Sequence, residues 1–236
     1  VASLDAGGDP AALAEALVTR GMCLRVKGNY TESREALARA RAVLLQHEGP
    51  ISALTEARKE LGITLSLCGE LGQAIQELTA VLDIYEAQGD TYNIAHTSDQ
   101  LAVALGLAGR LEEGATHLER ARQRWMKLGN DHRLIETIVN LAVMYYLQGD
   151  YENAEGAVRQ GLEKARSIGG SRPEVYLLAT LGDIKRDQGE HPAALELYNS
   201  CLDQAWTLDD AYVRIDVMDS IANTHRLMGD IANGES

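Results

Sequence analysis

The amino-acid sequence predicts an all-α protein, a right-handed α-α superhelix (solenoid) of about five and a half helical hairpins. The first observation is a glycine turn that recurs along the whole chain at intervals of 41, 40, 40, 40 and 40 residues. The second is the composition, because 45% of the 236 residues are hydrophobic, none is Phe and only four are Pro, a mixture that favours helices over strands. The recurring turn glycines are Gly28, Gly69, Gly109, Gly149, Gly189 and Gly229.

Small residues keep a fixed distance from each turn glycine. Seven residues before it stand Gly21, Gly62, Ala102, Ala142, Gly182 and Ala222. Five residues after it stand Ser33, Ala74, Gly114, Ala154 and Ala194. Large apolar residues stand nine after it, namely Leu37, Leu78, Leu118, Val158 and Tyr198. This alternation of small and large side chains indicates that the two helices of each hairpin cross closely at these points.

A second set of breaks separates the hairpins and fixes the repeat boundaries. These breaks carry Gly, Asp, Asn or Ser, which end one helix and cap the next, and Pro10 and Pro192 suit the first turn of a helix. We expect one superhelical domain over residues 1–236, a fragment of a larger protein. Its repeats are predicted at about 10–49, 50–89, 90–129, 130–169 and 170–209, with a partial repeat at 210–236 that has a first helix over about 211–228 and almost no second helix.

The small residues and the turn glycine resemble the hallmark positions of tetratricopeptide repeats, most closely over residues 140–154. The 40-residue period departs from the 34-residue form of that family. The long form resembles the sensor region of MalT-type, LuxR-like or SARP-like bacterial transcriptional activators, which are signal-transduction ATPases. The resemblance implies a regulatory binding region, although kinesin light chains and many scaffold proteins carry repeats of similar length.

The charge and the cysteines exclude several classes of protein. The formal net charge is −13, so we expect no direct contact with nucleic acid by this segment. No apolar run is long enough to cross a membrane, and residues 1–8 lack the features of a signal peptide. The three cysteines, Cys23, Cys68 and Cys201, lie far apart in helical patterns, so they are predicted to be buried, unpaired residues of a cytoplasmic protein.

The sequence carries no pattern typical of catalysis or of metal binding. It contains no phosphate-binding loop and no serine-nucleophile elbow, and none of its six histidines is spaced to form a metal pair. We therefore expect no enzyme activity, no metal and no cofactor.

The remaining candidate site is the concave face, which the first helices of the hairpins should line. The positions thirteen, ten, six and three residues before each turn glycine face this groove in a hairpin solenoid. They give the candidate binding residues Arg25, Lys59, His96, Asp99, Tyr146, Tyr176, Asp183, Arg186, Asn223 and Arg226. In the first hypothesis, a sensor module binds a protein, a peptide or a small-molecule effector here, with the tyrosines stacking on the ligand.

The second hypothesis is a structural scaffold or self-association module without a small-molecule ligand. The last predicted helix lacks a covering helix, so its apolar residues would be exposed and could form a homodimer. These residues are Ile215, Met218, Ile221, Ala222 and Leu227.

Overall fold

The structure is a computed structural model that describes residues 9–169 and 171–229. These residues form eleven α-helices and no strand, so the all-α prediction is confirmed. The end of the predicted partial repeat, residues 230–236, lies outside the described residues, as do Gly170 and residues 1–8. The helices are α1 (Pro10–Val26), α2 (Tyr30–Gln46), α3 (Ile51–Leu67), α4 (Leu71–Gln88), α5 (Thr91–Leu107), α6 (Leu111–Leu128), α7 (Asp131–Leu147), α8 (Tyr151–Ile168), α9 (Ser171–Asp187), α10 (His191–Thr207) and α11 (Ala211–Leu227).

The odd-numbered helices are the first helices of the hairpins (A helices) and the even-numbered ones the second (B helices). The A helices α3 and α9 each pack on the B helix of their own hairpin and also on the B helix before it, as α9 does with α10 and α8. The chain forms two compact units, Val1–Arg124 and Trp125–Ser236. A single domain over residues 1–236 stays a prediction.

Backbone conformation at the turns explains why glycine recurs there. All six turn glycines have φ between 75° and 80°, in the left-handed region that favours glycine. The breaks between hairpins use Gly89, Gly129 and Gly169 in the same way, with φ of 65–70°. At the two other breaks the left-handed position is taken by Glu48 and Asp209, with φ of 49° and 52°. At these two breaks a residue other than glycine therefore adopts the left-handed conformation.

The predicted crossing points are real contacts. A Cβ atom added at Gly21 would lie 2.5 Å from Leu37 Cγ, and one added at Gly62 would lie 2.7 Å from Leu78 Cγ. No real Cβ atom sits so close to another carbon, so these A helices need glycine at the crossing. The small residue seven before the turn and the large residue nine after it are thus one packing unit, which the sequence period predicts.

Each unit has its own hydrophobic core. In the first unit the core contains Leu37, Leu61, Leu65, Leu78 and Leu101, all less than 4% exposed. In the second it contains Val175, Tyr198, Cys201, Val213 and Val217. The two tryptophans differ sharply, because Trp125 is fully buried and Trp206 is 61% exposed.

The prediction that all three cysteines are buried is wrong for Cys23, which is exposed, while Cys68 is half-buried and Cys201 is buried. Cys23 lies five residues before its turn glycine. The residues at this position in the later A helices, such as Ala104 and Met144, are buried. Within the described residues no helix precedes α1, so Cys23 stays exposed.

Candidate functional site

The structure places all ten predicted groove residues on A helices. Arg25, Lys59, His96 and Asp99 belong to the first unit, and the other six to the second. The side chains differ in the contacts that they make. Some are joined in one cluster, some form local ion pairs, and one lines a pocket.

Three of the predicted residues meet in a polar cluster of the second unit, with Arg186 at its centre. Arg186 Nη2 donates to Tyr146 Oη at 2.9 Å and Arg186 Nη1 donates to Asp183 Oδ1 at 2.9 Å. Arg186 Nε donates to Asp187 Oδ1 at 2.9 Å, and Tyr146 Oη donates to Asp187 Oδ2 at 2.9 Å. Tyr198 Oη closes the cluster by donating to Asp183 Oδ1 at 2.7 Å. We call these five residues the Arg186 cluster; it links α7, α9 and α10.

Electrostatics keep both phenols of the Arg186 cluster protonated. Burial raises the pKa of Tyr146 well above its usual value, and its hydrogen bond to Asp187 raises it further. Burial also raises the pKa of Tyr198, and the charge of Asp183 adds to this effect. The pKa of Asp183 itself is raised, again mainly by burial. The cluster is therefore a satisfied network whose polar groups already bind one another, which suits a rigid link between helices.

Sequence reasoning missed Asp187 and the polar role of Tyr198. Tyr198 was counted as a core residue because it stands nine after the turn glycine, where the other repeats have Leu or Val. Its ring is fully buried, and its hydroxyl group extends to the cluster. The sequence does carry a signal for this polar role: Gly182 is combined with an aromatic residue nine after the turn glycine, where the other repeats have Leu or Val.

A pocket of about 590 Å³ lies between α7 and α9 in the second unit. Of the ten candidate residues only Tyr176 lines it, and Glu136, which stands at the groove-facing position thirteen before Gly149, lines it as well. The sequence missed most of the other lining residues, because they lie one helical turn or less from the positions that were chosen. The described residues that line it are His132, Glu136, Val139, Asn140, Arg172, Pro173 and Tyr176.

One wall of this pocket is fixed by an ion pair. Arg172 donates from Nε and Nη2 to Asp210 Oδ2, at 3.1 and 2.9 Å, and Tyr176 Oη donates to the same oxygen at 3.4 Å. Asp210 Oδ1 accepts the backbone N–H of Val213 at 3.3 Å and so caps α11. Burial acts to raise the pKa of Asp210, but the Val213 N–H and the charge of Arg172 outweigh it, so the pKa is lowered. The carboxylate stays ionised and holds Arg172 against the pocket.

The opposite wall carries a polar group that is not used within the protein. The side-chain amide of Asn140 is half-buried, and it makes no hydrogen bond with any residue that the structure describes. Glu136, one turn earlier on α7, pairs with Arg133 at 2.8 Å. Because Arg172 and Glu136 are each paired, the Asn140 amide is available to bind a ligand in this pocket.

Two of the predicted residues of the first unit, Arg25 and Lys59, form separate ion pairs. Arg25 Nη2 lies 2.8 Å from Glu60 Oε2, which joins α1 to α3. Lys59 Nζ lies 2.6 Å from Glu56 Oε2 on the same helix. Burial acts to lower the pKa of Lys59, but the hydrogen bond to Glu56 outweighs it and the pKa is raised, so the ammonium group stays charged.

None of the remaining predicted residues is among those that line the pocket or among the five that define the Arg186 cluster. Asp99 is buried and His96 is half-buried on α5. Arg226 Nη2 donates to Asn223 Oδ1 within α11. The structure therefore does not gather the ten predicted residues into one site, and their binding roles stay a prediction.

Across residues 9–169 and 171–229, no group of three or more His, Cys, Asp or Glu side chains is arranged to hold a metal ion. None of the described helices combines the length and the apolar character that a membrane crossing requires.

Comparison with protein families supports the repeat assignment directly. The tetratricopeptide repeat family matches residues 90–167, which span the repeats built from α5 to α8. These residues are tetratricopeptide repeats. A comparison with curated protein sequences gave no significant match.

Solved structures extend the likeness of the tetratricopeptide fold to almost the whole chain. The apo form of RapI superposes with a TM-score of 0.82 at 14% identity, covering 99% of this chain and 83% of that one. A signal transduction ATPase with numerous domains (STAND) from Pyrococcus horikoshii, which has a tetratricopeptide repeat sensor, gives a TM-score of 0.77 at 14% identity; 94% of this chain and 34% of that protein are covered. A Rap protein complexed with competence and sporulation factor gives 0.72 at 15% identity, over 93% and 70% of the two chains. At these identities the likeness concerns the fold alone.

Proposed function

We propose that this chain is a non-catalytic interaction module that binds an extended peptide segment in the pocket between α7 and α9. The observation that carries the proposal is the unpartnered, half-buried amide of Asn140 on the wall of a cavity of about 590 Å³. The tetratricopeptide fold supports a protein or peptide partner.

The chemistry of the pocket fits a peptide backbone. A side-chain amide offers both a donor and an acceptor, so Asn140 can pair with the C=O and N–H groups of a peptide chain. Val139 of α7, and Pro173 and the ring of Tyr176 on α9, offer apolar surface to one side chain of the ligand. Since the charged groups on the walls are already paired, the pocket favours an uncharged side chain over an acidic or basic one.

The Arg186 cluster supports this site mechanically. It ties α7 to α9 through the hydrogen bond between Arg186 and Tyr146, near the opposite ends of the same two helices. A rigid pair of helices holds the pocket open before the ligand arrives, which reduces the entropy lost on binding.

We further propose that the module is the regulatory region of a bacterial transcriptional activator in the cytoplasm. Two of the structures with this fold support the idea, because one belongs to a STAND protein with a repeat sensor and another is complexed with competence and sporulation factor. Reading the gene on both sides of this segment tests the assignment. A phosphate-binding loop on one side and a helix-turn-helix segment at either end are expected; the lack of both would reject it.

The peptide site is tested with a displayed library of random heptapeptides and the purified chain. We expect enriched peptides to share an apolar residue, and Asn140→Ala to weaken their binding on the order of tenfold, the value of one or two lost hydrogen bonds. Asn199→Ala is the matched control, because Asn199 is an exposed amide on α10 in the same unit. Failure to enrich any peptide, or equal affinities for the Asn140→Ala and wild-type chains, would reject the site.

A small-molecule effector is the second ligand class that the cavity volume admits. A thermal-shift screen of metabolites against the wild-type and Tyr176→Ala chains separates the two classes. Stabilisation by a metabolite that is lost in Tyr176→Ala, together with no enriched peptide, would favour the small molecule.

A further inference from the structure

A strip of apolar side chains crosses the three A helices of the first unit. It consists of the residues six and two before each turn glycine, which lie one helical turn apart on the same side of their helix. Five of the six are exposed, Leu67 and Leu107 by 49% and 61%, and Ile63 is half-buried. Because α3 packs on both α1 and α5, the strip is continuous. We call it the apolar strip, and its members are Met22, Val26, Ile63, Leu67, Val103 and Leu107.

The fold itself does not require apolar residues at these positions. In the second unit, α9 has Asp183 and Asp187 at the same two positions, where both bind Arg186. This helix still packs on α8 and α10. Apolar surface is unfavourable in water, and a contiguous exposed patch of it marks an interaction site. The apolar strip is therefore a surface for contact with another molecule.

An acidic strip runs beside the apolar strip on the same three helices. Its charged residues stand thirteen, ten or nine before the turn glycines, and four of the five are acidic. Lys59 pairs with Glu56, and Glu60 pairs with Arg25 of α1, so the carboxylates outnumber the cations by two. Glu15 is exposed and forms no ion pair with any described residue. The charged residues of the acidic strip are Glu15, Glu56, Lys59, Glu60 and Asp99.

We propose that this face of the first unit binds an amphipathic α-helix of a partner protein. The apolar side of that helix lies on the apolar strip, and Lys or Arg residues beside it face the acidic strip. Charge complementarity selects a basic segment over an acidic one. The proposal is independent of the pocket that Asn140 lines, because that pocket belongs to the second unit.

The chemistry of the apolar strip favours a helix over an extended segment. An extended peptide relies on the protein to pair its N–H and C=O groups, but the strip offers only Met, Val, Ile and Leu side chains. A polyproline segment docks on aromatic rings, which the strip does not contain. An α-helix pairs its own backbone groups, so it can lie on this surface without leaving them unsatisfied.

The spacing of the A helices also fits a helical partner. Packed helices lie about 8–10 Å apart, and two turns of α-helix rise about 10.8 Å. Apolar residues at intervals of about seven residues in the partner therefore meet α1, α3 and α5 in turn. Three such contacts need a segment of at least about 15 residues.

A displayed library of helix-forming segments of about 18 random residues, sorted on the full chain, tests the proposal. We expect the enriched segments to have apolar residues at intervals of about seven residues and an excess of Lys and Arg. Leu67→Glu and Leu107→Glu should each weaken their binding at least about tenfold, because each places a charge in the apolar contact. Leu45→Glu is the matched control, because Leu45 is 51% exposed on α2, outside the strip, and should leave the affinity unchanged.

A second set of variants tests the charge and the location of the site. Glu15→Lys should weaken binding of the enriched basic segments by about two- to fivefold and reduce its dependence on salt. Glu163→Lys is the control, because Glu163 is an exposed residue of α8 in the second unit. Asn140→Ala should leave this binding unchanged, which separates the site from the pocket between α7 and α9. Circular dichroism of each variant confirms that it is folded.

Four outcomes would overturn the proposal. The first is that no segment is enriched on the wild-type chain. The second is that acidic or proline-rich segments are the enriched class. The third is that the enriched segments bind the Leu67→Glu chain as tightly as the wild-type chain. The fourth is a wild-type dimer that Leu67→Glu dissociates in sedimentation equilibrium, because a second copy of the chain would then cover the apolar strip.

Discussion

Gly182 and Tyr198 are a matched pair: a Cβ atom on Gly182 would lie 2.5 Å from Cε1 of the Tyr198 ring. The two other pairs that contain glycine, Gly21 with Leu37 and Gly62 with Leu78, combine it with leucine. Here the larger ring fills the crossing of α9 and α10, and its hydroxyl group reaches Asp183. Because Gly182 has no side chain, the ring of Tyr198 fits at this crossing and its hydroxyl group joins the polar cluster.

Gly182→Ala should destabilise the chain by about 1–3 kcal/mol, because the buried ring of Tyr198 must shift to admit a methyl group. The matched control is Gly156→Ala on α8, where nothing lies within 4 Å of the new Cβ atom and φ is ordinary. That change should stabilise the chain by roughly 0.5–1 kcal/mol, as Ala does in a helix interior. Urea unfolding followed by circular dichroism measures both; equal effects of the two variants would contradict the packing argument.

Thr97→Val should stabilise the first unit by about 1 kcal/mol. Thr97 is fully buried on α5, and its hydroxyl group has no hydrogen-bond partner among the described residues, so the isosteric Val removes an unsatisfied polar group. Thr137 is the control, since it occupies the same repeat position but its hydroxyl donates to Arg133 O at 3.0 Å. Thr137→Val should change the midpoint of thermal unfolding less favourably than Thr97→Val does. A larger stabilisation by Thr137→Val would count against the prediction.

Asp209→Gly should stabilise the break before α11 by about 1 kcal/mol, because a non-glycine residue with φ of 52° is strained there. The variant loses the ion pair of Asp209 with Arg214, but Asp209 is 94% exposed, so that contact contributes little. Glu48→Gly is the parallel case at the break before α3. Both should raise the midpoint of thermal unfolding. Asp209→Asn keeps a side chain at this φ, so it should raise the midpoint of thermal unfolding less than Asp209→Gly does.

The Asp90 cap of α5 should make part of the stability depend on pH. Hydrogen bonds from the Asn93 side chain and from its backbone N–H lower the pKa of Asp90. Its ionised form is therefore favoured in the folded state, and this stabilisation is present above the unfolded value of about 3.9 and lost as the pH falls through the folded pKa. Asp90→Ala should cost about 1 kcal/mol at pH 7 and progressively less in acid.

Asn130→Ala is the control for this prediction. Asn130 caps α7 by accepting the Arg133 N–H at 3.2 Å, but it has no titratable group. The destabilisation caused by Asn130→Ala should therefore be the same at every pH in urea unfolding. A destabilisation by Asp90→Ala that is equally constant would show that ionisation of Asp90 does not contribute.

The sequence period was enough to predict the turns, the hairpins and the close crossings, because each repeats the same local geometry. It could not select Asp187 as the partner of Arg186 and Tyr146, since that choice depends on side-chain directions across two helices 41 residues apart. Nor could it find Asn140, whose importance lies in having no partner, a property visible only once its neighbours are placed. Cys23 was wrongly predicted to be buried, because its helical sequence pattern does not show that no described helix precedes α1 to cover it.

The two tryptophans give the second unit a built-in optical probe. Trp125 is sealed in the core, so its emission should be blue-shifted and protected from iodide, whereas Trp206 is exposed beneath Arg214 and should be red-shifted and readily quenched. Fluorescence from a single unlabelled sample therefore separates loss of the core from a change at the end of α10. A molecule that covers Trp206 would protect it from iodide while leaving Trp125 unaffected.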